Sequence, residues 1–134
     1  TVAAHIQAPS ESRVILVDTS VWVDHLRNGD ATLAGELDRG TVVIHPFVVG
    51  ELACGNLHNR GVVLELLQRL PTAPVATHPE VLAFIEARDL MGRGIGYVDA
   101  HLLAATALGA DMRLWSRDKR LAEVARTLGD AFAV

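Results

Sequence analysis

Asp18, Glu51, Asp99 and Asp118 are the residues whose surroundings point to chemistry. Asp18 follows directly on a β-branched apolar run at 13–17, and Asp118 follows a second run at 112–116. Glu51 lies inside Phe47-Val-Val-Gly-Glu-Leu-Ala-Cys54, an almost wholly apolar stretch where an unpaired carboxylate is costly to bury. Asp99 opens a helix, behind a Gly-Ile-Gly-Tyr loop and ahead of Leu102-Leu-Ala-Ala105. Brought together at neutral pH, four carboxylates repel one another and favour protonation unless a cation joins them. With only oxygen donors on offer, and no convincing cysteine or histidine set, that cation is a hard one, Mg²⁺ or Mn²⁺ rather than Zn²⁺. Such an ion holds and activates water and neutralises charge on a phosphate, so the implied chemistry is phosphodiester hydrolysis.

Each of the four also has a plainer reading. Asp18 and Asp118 precede helices and are good N-caps; Asp99 in a first helical turn is favoured by the helix dipole; Glu51 could sit at a rim or an interface. Thr19 and Ser20 are themselves able to cap, which would free Asp18, and their hydroxyls could instead orient its carboxylate. Asp111 precedes a strand and falls at the opposite sheet edge. Asp24, Asp30, Glu36, Asp38 and Asp89 read as solvated helix faces or loops, with Glu36 able to approach from the second helix. The six histidines form no HxH or HExxH pair and read as surface or loop residues. His101, two residues after Asp99, is the exception to test. Trp22 and Trp115 read as core and subunit packing.

The elements that must position these groups alternate. Strands are expected at 13–17, 41–44 and 112–116, with a very short one at 75–76 and an edge strand at 131–134. Helices are expected at 21–27, 31–39, 47–54, 60–70, 79–91, 97–108 and 119–128, punctuated by Gly29, Gly40, Pro71 and Gly109. Such alternation predicts a three-layer α/β/α domain around a central, mostly parallel sheet of four to five strands, with functional groups at the carboxyl ends of the strands. Residues 1–12 read as a leader and 13–134 as one domain, the size that 134 residues at 50% hydrophobic content can fill.

Composition narrows the class. The apolar runs are far shorter than the roughly 20 residues of a membrane helix, so no membrane association is expected. A single cysteine, Cys54, makes no internal disulfide and fits a reducing compartment, the cytoplasm. The net charge of −4 offers no overall field for a polyanion, so a nucleic-acid substrate needs local cations. Eleven of the twelve basic residues are arginine, suited to clamping phosphate, and Arg27, Arg93, Arg117, Lys119 and Arg120 lie near the acids in sequence.

Four blocks carry a resemblance: Val17-Asp-Thr-Ser-Val-Trp22, Val49-Gly-Glu-Leu52, Tyr97-Val-Asp-Ala-His-Leu-Leu-Ala104 and Ser116-Arg-Asp-Lys-Arg-Leu121. In this order and near this spacing the chain resembles the PIN-domain nucleases, and in particular the VapC toxins of bacterial type II toxin–antitoxin pairs. The resemblance implies a PIN-like fold and makes Asp18, Glu51, Asp99 and Asp118 the acidic metal site. It makes Thr19, Ser20 and Ser116 its polar supports. It implies a Mg²⁺ or Mn²⁺ requirement, endonucleolytic cleavage of RNA, a homodimer, and inhibition by a VapB-type antitoxin, through which alone DNA is engaged. Arg117 and Lys119, flanking Asp118, are the first choices for contacting RNA. A non-catalytic doubly wound binding or regulatory module is the alternative. Dinucleotide binding is disfavoured, because Gly92-Arg-Gly-Ile-Gly96 follows a helix and lacks the GxGxxG spacing. An aspartyl phosphotransferase is disfavoured too, because the second position after Asp18 is Ser20.

Overall fold

The structure is a computed structural model and describes residues 13–134; the leader expected at 1–12 lies outside them. Strand β1 (Val14–Val17) is flanked by β2 (Val42–Val43) on one side and β3 (Met112–Trp115) on the other, all parallel, in the order β2-β1-β3. The middle strand is buried on both faces, which is why it reads as an unbroken apolar run rather than an alternating one. Its neighbours are recruited by helical crossovers: α1 (Thr19–Asn28) and α2 (Ala31–Arg39) carry the chain from β1 to β2. Helices α3 (Pro46–Ala53), α4 (Arg60–Arg69), α5 (His78–Ala87) and α6 (Tyr97–Leu108) carry it back across to β3, and α7 (Lys119–Thr127) follows. The first crossover moves away from β3 and the second moves toward it. Right-handed connections therefore put the two sets of helices on opposite faces of the sheet.

The sheet has three strands among the described residues, not the four to five expected from sequence. The outer positions are reduced to single parallel bridges, Ile44 with Thr72 and Leu114 with Ala131. Pro71 and Pro74 lack the N–H a longer ladder at the first position needs, so pairing is confined to the Thr72 neighbourhood and the strand expected at 75–76 does not form. At the second, the strand expected at 131–134 amounts to two hydrogen bonds around Leu114, from its own N–H to Asp130 O and from Phe132 N–H to its O.

Helix ends follow local chemistry. Asp30 caps α2, accepting from the Leu33 N–H at 2.8 Å, and Gly40 closes it in the left-handed conformation. Thr77 and Glu80 form a reciprocal capping box on α5. That helix ends at Ala87 rather than near Met91, because Asp89 turns to φ 53°. Helix α6 is buried from Ala100 through Thr106, on every side, as expected for an Ala/Leu-rich helix in the core of the domain. No helix of the described residues is long and apolar enough to cross a membrane.

Candidate active site

The register of the sheet builds the first half of the site. Val17 pairs with Trp115, so the residues that continue each strand, Asp18 and Ser116, emerge side by side, and Asp18 N–H still donates to Trp115 O at 2.9 Å. This is the edge where parallel sheets gather functional groups, at the point where the order of the crossovers reverses. Asp18 stands at the N-cap position of α1 and yet its side chain caps nothing. Its Oδ2 instead accepts two hydroxyls, Ser20 Oγ and Ser116 Oγ, each at 2.8 Å. The residue is only 6% exposed, and the two hydroxyls replace the water its carboxylate gives up. Among the described residues its Oδ1 receives no hydrogen bond and remains available.

Each serine has one proton to give. Both spend it on Asp18, and both are turned toward it from behind: Arg117 N–H donates to Ser20 Oγ at 2.9 Å and Asp118 N–H to Ser116 Oγ at 3.0 Å. Asp118 then does what its position suggests, its Oδ1 accepting the Arg120 and Leu121 N–H groups that open α7. Glu51 projects from α3 into an exposed position, where Thr19 Oγ1 donates to its Oε1 at 2.7 Å. Thr19 and Ser20, adjacent on α1, thus hold two different carboxylates.

Asp99, in the first turn of α6, accepts from the Gly96 N–H through Oδ2 at 3.1 Å. Its carboxyl is pushed above the ordinary aspartate range, chiefly by burial. The Gly96 N–H pulls the other way, and the charges of Asp18, Asp118 and Glu51 push further up. The other three sequence-chosen acids therefore all bear on Asp99. The Gly-rich loop before it is pinned by Gly94, which sits at φ +80° with Arg120 lying against it; a Cβ there would come within 2.5 Å of Arg120 Cδ.

Helix α6 is held beside α3 by rings. His45, wholly buried, caps α3 by accepting the Phe47 N–H at Nδ1, 3.0 Å. Phe47 and Tyr97 each meet the His101 ring edge-on with centroids 4.6 Å apart, and Tyr97 Oη is 2.5 Å from His78 Nδ1. His45 is thus a core residue, not a surface or loop one as expected from sequence, and His101, the exception to test, is buried as well. Burial, with the other histidine nearby, pushes His45 down to about 4, and burial likewise lowers His101, so both are neutral near pH 7. Neither side chain points to a catalytic role; together with Phe47 they set the spacing between the helices that carry Glu51 and Asp99.

Three acids depart from their sequence reading. Asp24 and Asp30 are not free solvated groups: Arg117 donates Nη1 to Asp24 at 2.8 Å and Nη2 to Asp30, across 93 and 87 residues of sequence. No periodicity signals such a pairing. Glu36 lies away from the site, bonded to Thr41 Oγ1 and paired with Arg39 at 3.2 Å. Asp111 stands before β3, at the other edge of the sheet from Asp118, near Arg113. Arg27, Arg93, Lys119 and Arg120 make no ion pair among the described residues, and Arg27 and Glu51 line the same cavity, of 360 Å³, with Val23, Leu26 and Leu52.

Among the described residues no three His, Cys, Asp or Glu side chains close into a ready metal cage. The donor set nevertheless fits a hard divalent cation. It is oxygen only, each carboxylate keeps one oxygen clear of hydrogen bonds among the described residues, and the charges of the other three acids add to the burial that raises Asp99. Mg²⁺ keeps several waters and takes only one or two carboxylates directly, so an open arrangement of this kind suits it.

Comparison with known proteins identifies the family. The PIN domain family matches residues 15–127. Ribonuclease VapC32 from two strains of Mycobacterium tuberculosis, CDC 1551 / Oshkosh and ATCC 25618 / H37Rv, is 50% identical over 120 residues. That alignment covers 90% of this chain and 97% of the relative.

Proposed function

The chain belongs to the PIN-domain family and is a ribonuclease, and on that premise we propose that Asp18, Glu51, Asp99 and Asp118 are its catalytic acids and that it is the toxin of a type II toxin–antitoxin pair. The observation that carries the assignment of the site is the hydroxyl network at the strand ends: Ser20 and Ser116 hold Asp18, Ser116 also accepts the Asp118 N–H, and Thr19 beside Ser20 holds Glu51. Asp99, raised chiefly by burial, also feels the charges of these three, a load that a cation relieves. The four acids would hold Mg²⁺, or Mn²⁺ in its place. Bound there, the ion supplies electrophilic stabilisation of the phosphoryl group and lowers the pKa of water.

The reaction is endonucleolytic: water adds at phosphorus, one P–O bond of the RNA breaks, and the departing oxygen takes up a proton. The protein's part is to hold its acids still. Ser20 and Ser116 fix Asp18, Thr19 fixes Glu51, and the α7 amides fix Asp118, leaving the opposite oxygen of each carboxylate to face the substrate. Lys119 and Arg120, without an ion pair among the described residues and beside Asp118, are suited to the RNA phosphates, with Arg27 on the Glu51 side. A VapB-type antitoxin, a homodimeric state and a cytoplasmic location belong to the same reading, by kinship with the VapC ribonucleases.

Total RNA exposed to the protein with Mg²⁺, Mn²⁺ or EDTA, followed by sequencing of the new ends, tests this directly. Discrete cuts are expected with either metal, none with EDTA, and none from Asp99→Asn. A full set of cuts by Asp99→Asn would remove the acidic-site assignment, and no cuts by the wild type would favour a binding module.

A further inference from the structure

The sequence offers Arg117 together with Lys119 for RNA contact, but the surroundings of Arg117 argue for a different task. Its guanidinium bridges Asp24 on α1 and Asp30 at the start of α2, with its carbon 5.5 Å from the centroid of the Trp115 ring. One positive charge against two negative ones leaves this spot with a net charge of −1, which gives a phosphate no reason to approach. Asp30 is well fixed: its side chain is 15% exposed, its Oδ1 caps α2, and its own N–H donates to His25 Nδ1 at 3.0 Å. The fork of Arg117 is therefore anchored to the corner between α1 and α2, in the two-donor geometry that only arginine offers.

What this anchor controls is the short loop between β3 and α7. The Arg117 N–H meets Ser20 Oγ and the next N–H, that of Asp118, meets Ser116 Oγ; those are the two hydroxyls that donate to Asp18 Oδ2. We propose that Arg117 is a positioning residue for RNA cleavage, an ionic latch to Asp30 and Asp24 that holds the loop so that Ser20 and Ser116 fix Asp18, and that it makes no phosphate contact. The inference rests on the assignment of Asp18 to the catalytic acids.

The two functions separate in kinetics, measured with an RNA segment that carries a mapped cleavage site. For a latch, Arg117→Ala lowers kcat by about tenfold to a hundredfold, the loss typical when a group supporting a metal-site ligand is removed. KM stays within about twofold and its salt dependence is unchanged. Asp30→Asn keeps the helix cap through its oxygen but turns an amide donor toward Arg117, so it lowers kcat in the same direction. The Arg117→Ala/Asp30→Asn pair is no worse than the weaker single variant, and Arg117→Lys recovers part of the rate through one of the two pairs. A phosphate contact predicts the opposite pattern: Arg117→Ala raises KM and flattens its salt dependence while Asp30→Asn, by releasing the guanidinium, leaves cleavage unharmed or improves it. That pattern overturns the proposal.

Amide exchange gives a readout that needs no catalysis. Exchange at Asp118 N–H accelerates in Asp30→Asn if the latch holds the loop, and wild-type protection there in a folded variant overturns the proposal even if the protein cuts no RNA. Cleavage by the wild type with normal kcat in Asp30→Asn and Arg117→Ala sinks the latch and leaves the acidic site standing. Loss of wild-type cleavage altogether sinks the acidic site instead.

Discussion

Asp18 and Asp118 occupy the same place in their units, each being the residue that leaves a parallel strand and precedes a helix, yet the fold uses them differently. Asp118 spends one oxygen on the amides of α7, as a capping aspartate does. Asp18 leaves the α1 amides without a side-chain cap and turns to two hydroxyls, one from its own helix and one from 98 residues away. The cause lies in their neighbours. β1 is the central strand, so the residue leaving it meets a second strand end at once, and Ser116 is within reach. Asp118 lies two residues further along its loop and is 3.0 Å by its N–H from that same serine, with the start of α7 ahead of it. A preference for capping is a local tendency, and a buried carboxylate beside two donors outweighs it.

The largest expected effect tests whether Asp18 is free of structural duty at the oxygen that matters. Asp18→Asn can keep both serine bonds through one oxygen and loses only the other, so RNA cleavage should fall by at least about a hundredfold, beyond what supporting groups cost. The melting temperature should move little. Near-normal cleavage would mean that the free oxygen has no part in the reaction.

Truncation should then separate the two aspartates in stability. Asp118→Ala removes a helix cap, worth about 1 kcal/mol. Asp18→Ala strands two half-buried hydroxyls as well as a strand-end contact and should cost more, roughly 1–3 kcal/mol. Urea unfolding of the two variants measures this, and the reverse order would remove the contrast drawn here.

Metal binding comes next in size. A cation bound only by the folded protein at ten times its Kd raises stability by about 1.4 kcal/mol. Wild-type protein should therefore melt higher in Mn²⁺ than in EDTA. Asp18→Asn should show a much smaller shift, while a variant distant from the site such as Arg69→Ala should match the wild type.

The smallest effect concerns pH. Asp99 has a folded-state value above its unfolded one, so the folded protein binds this proton more tightly. In EDTA, ionised Asp99 then costs stability at neutral pH, and the cost disappears as pH falls through the folded value toward the unfolded one near 3.8. Asp99→Asn should abolish that part of the pH dependence and be slightly more stable than wild type at pH 7. Equal stability of the two across the range would mean that neither burial nor the neighbouring acids raise Asp99 in the folded protein.

Much of the frame was legible because it is periodic and local. The helix at 97–108, the stop at Gly40, proline in the first turn of α3 and the exclusion of Asp111 all follow from residue order. The ribonuclease family was legible in four short blocks. The count of strands was not, because prolines on one side of the sheet reduce an apolar stretch to a single bridge, and a bridge has no sequence period. The burial of His45 and His101 was hidden for a related reason: it depends on α3 and α6 meeting, His101 packing against His45 and Phe47 from the other helix.

The sequence by itself determined which carboxylates leave strands or open helices, and hence that Asp18, Glu51, Asp99 and Asp118 could share one edge of a sheet. It did so because backbone propensity and hydrophobic period are properties of neighbours in the chain. Tertiary structure alone decided how each carboxylate is held: that Asp18 binds serines rather than its helix, that Thr19 takes Glu51, and that Arg117 is committed to Asp24 and Asp30. Hydrogen bonds and ion pairs form between whatever polar groups the packed elements leave within about 3 Å, and that distance is fixed by sheet register and helix packing, across separations the local sequence does not encode.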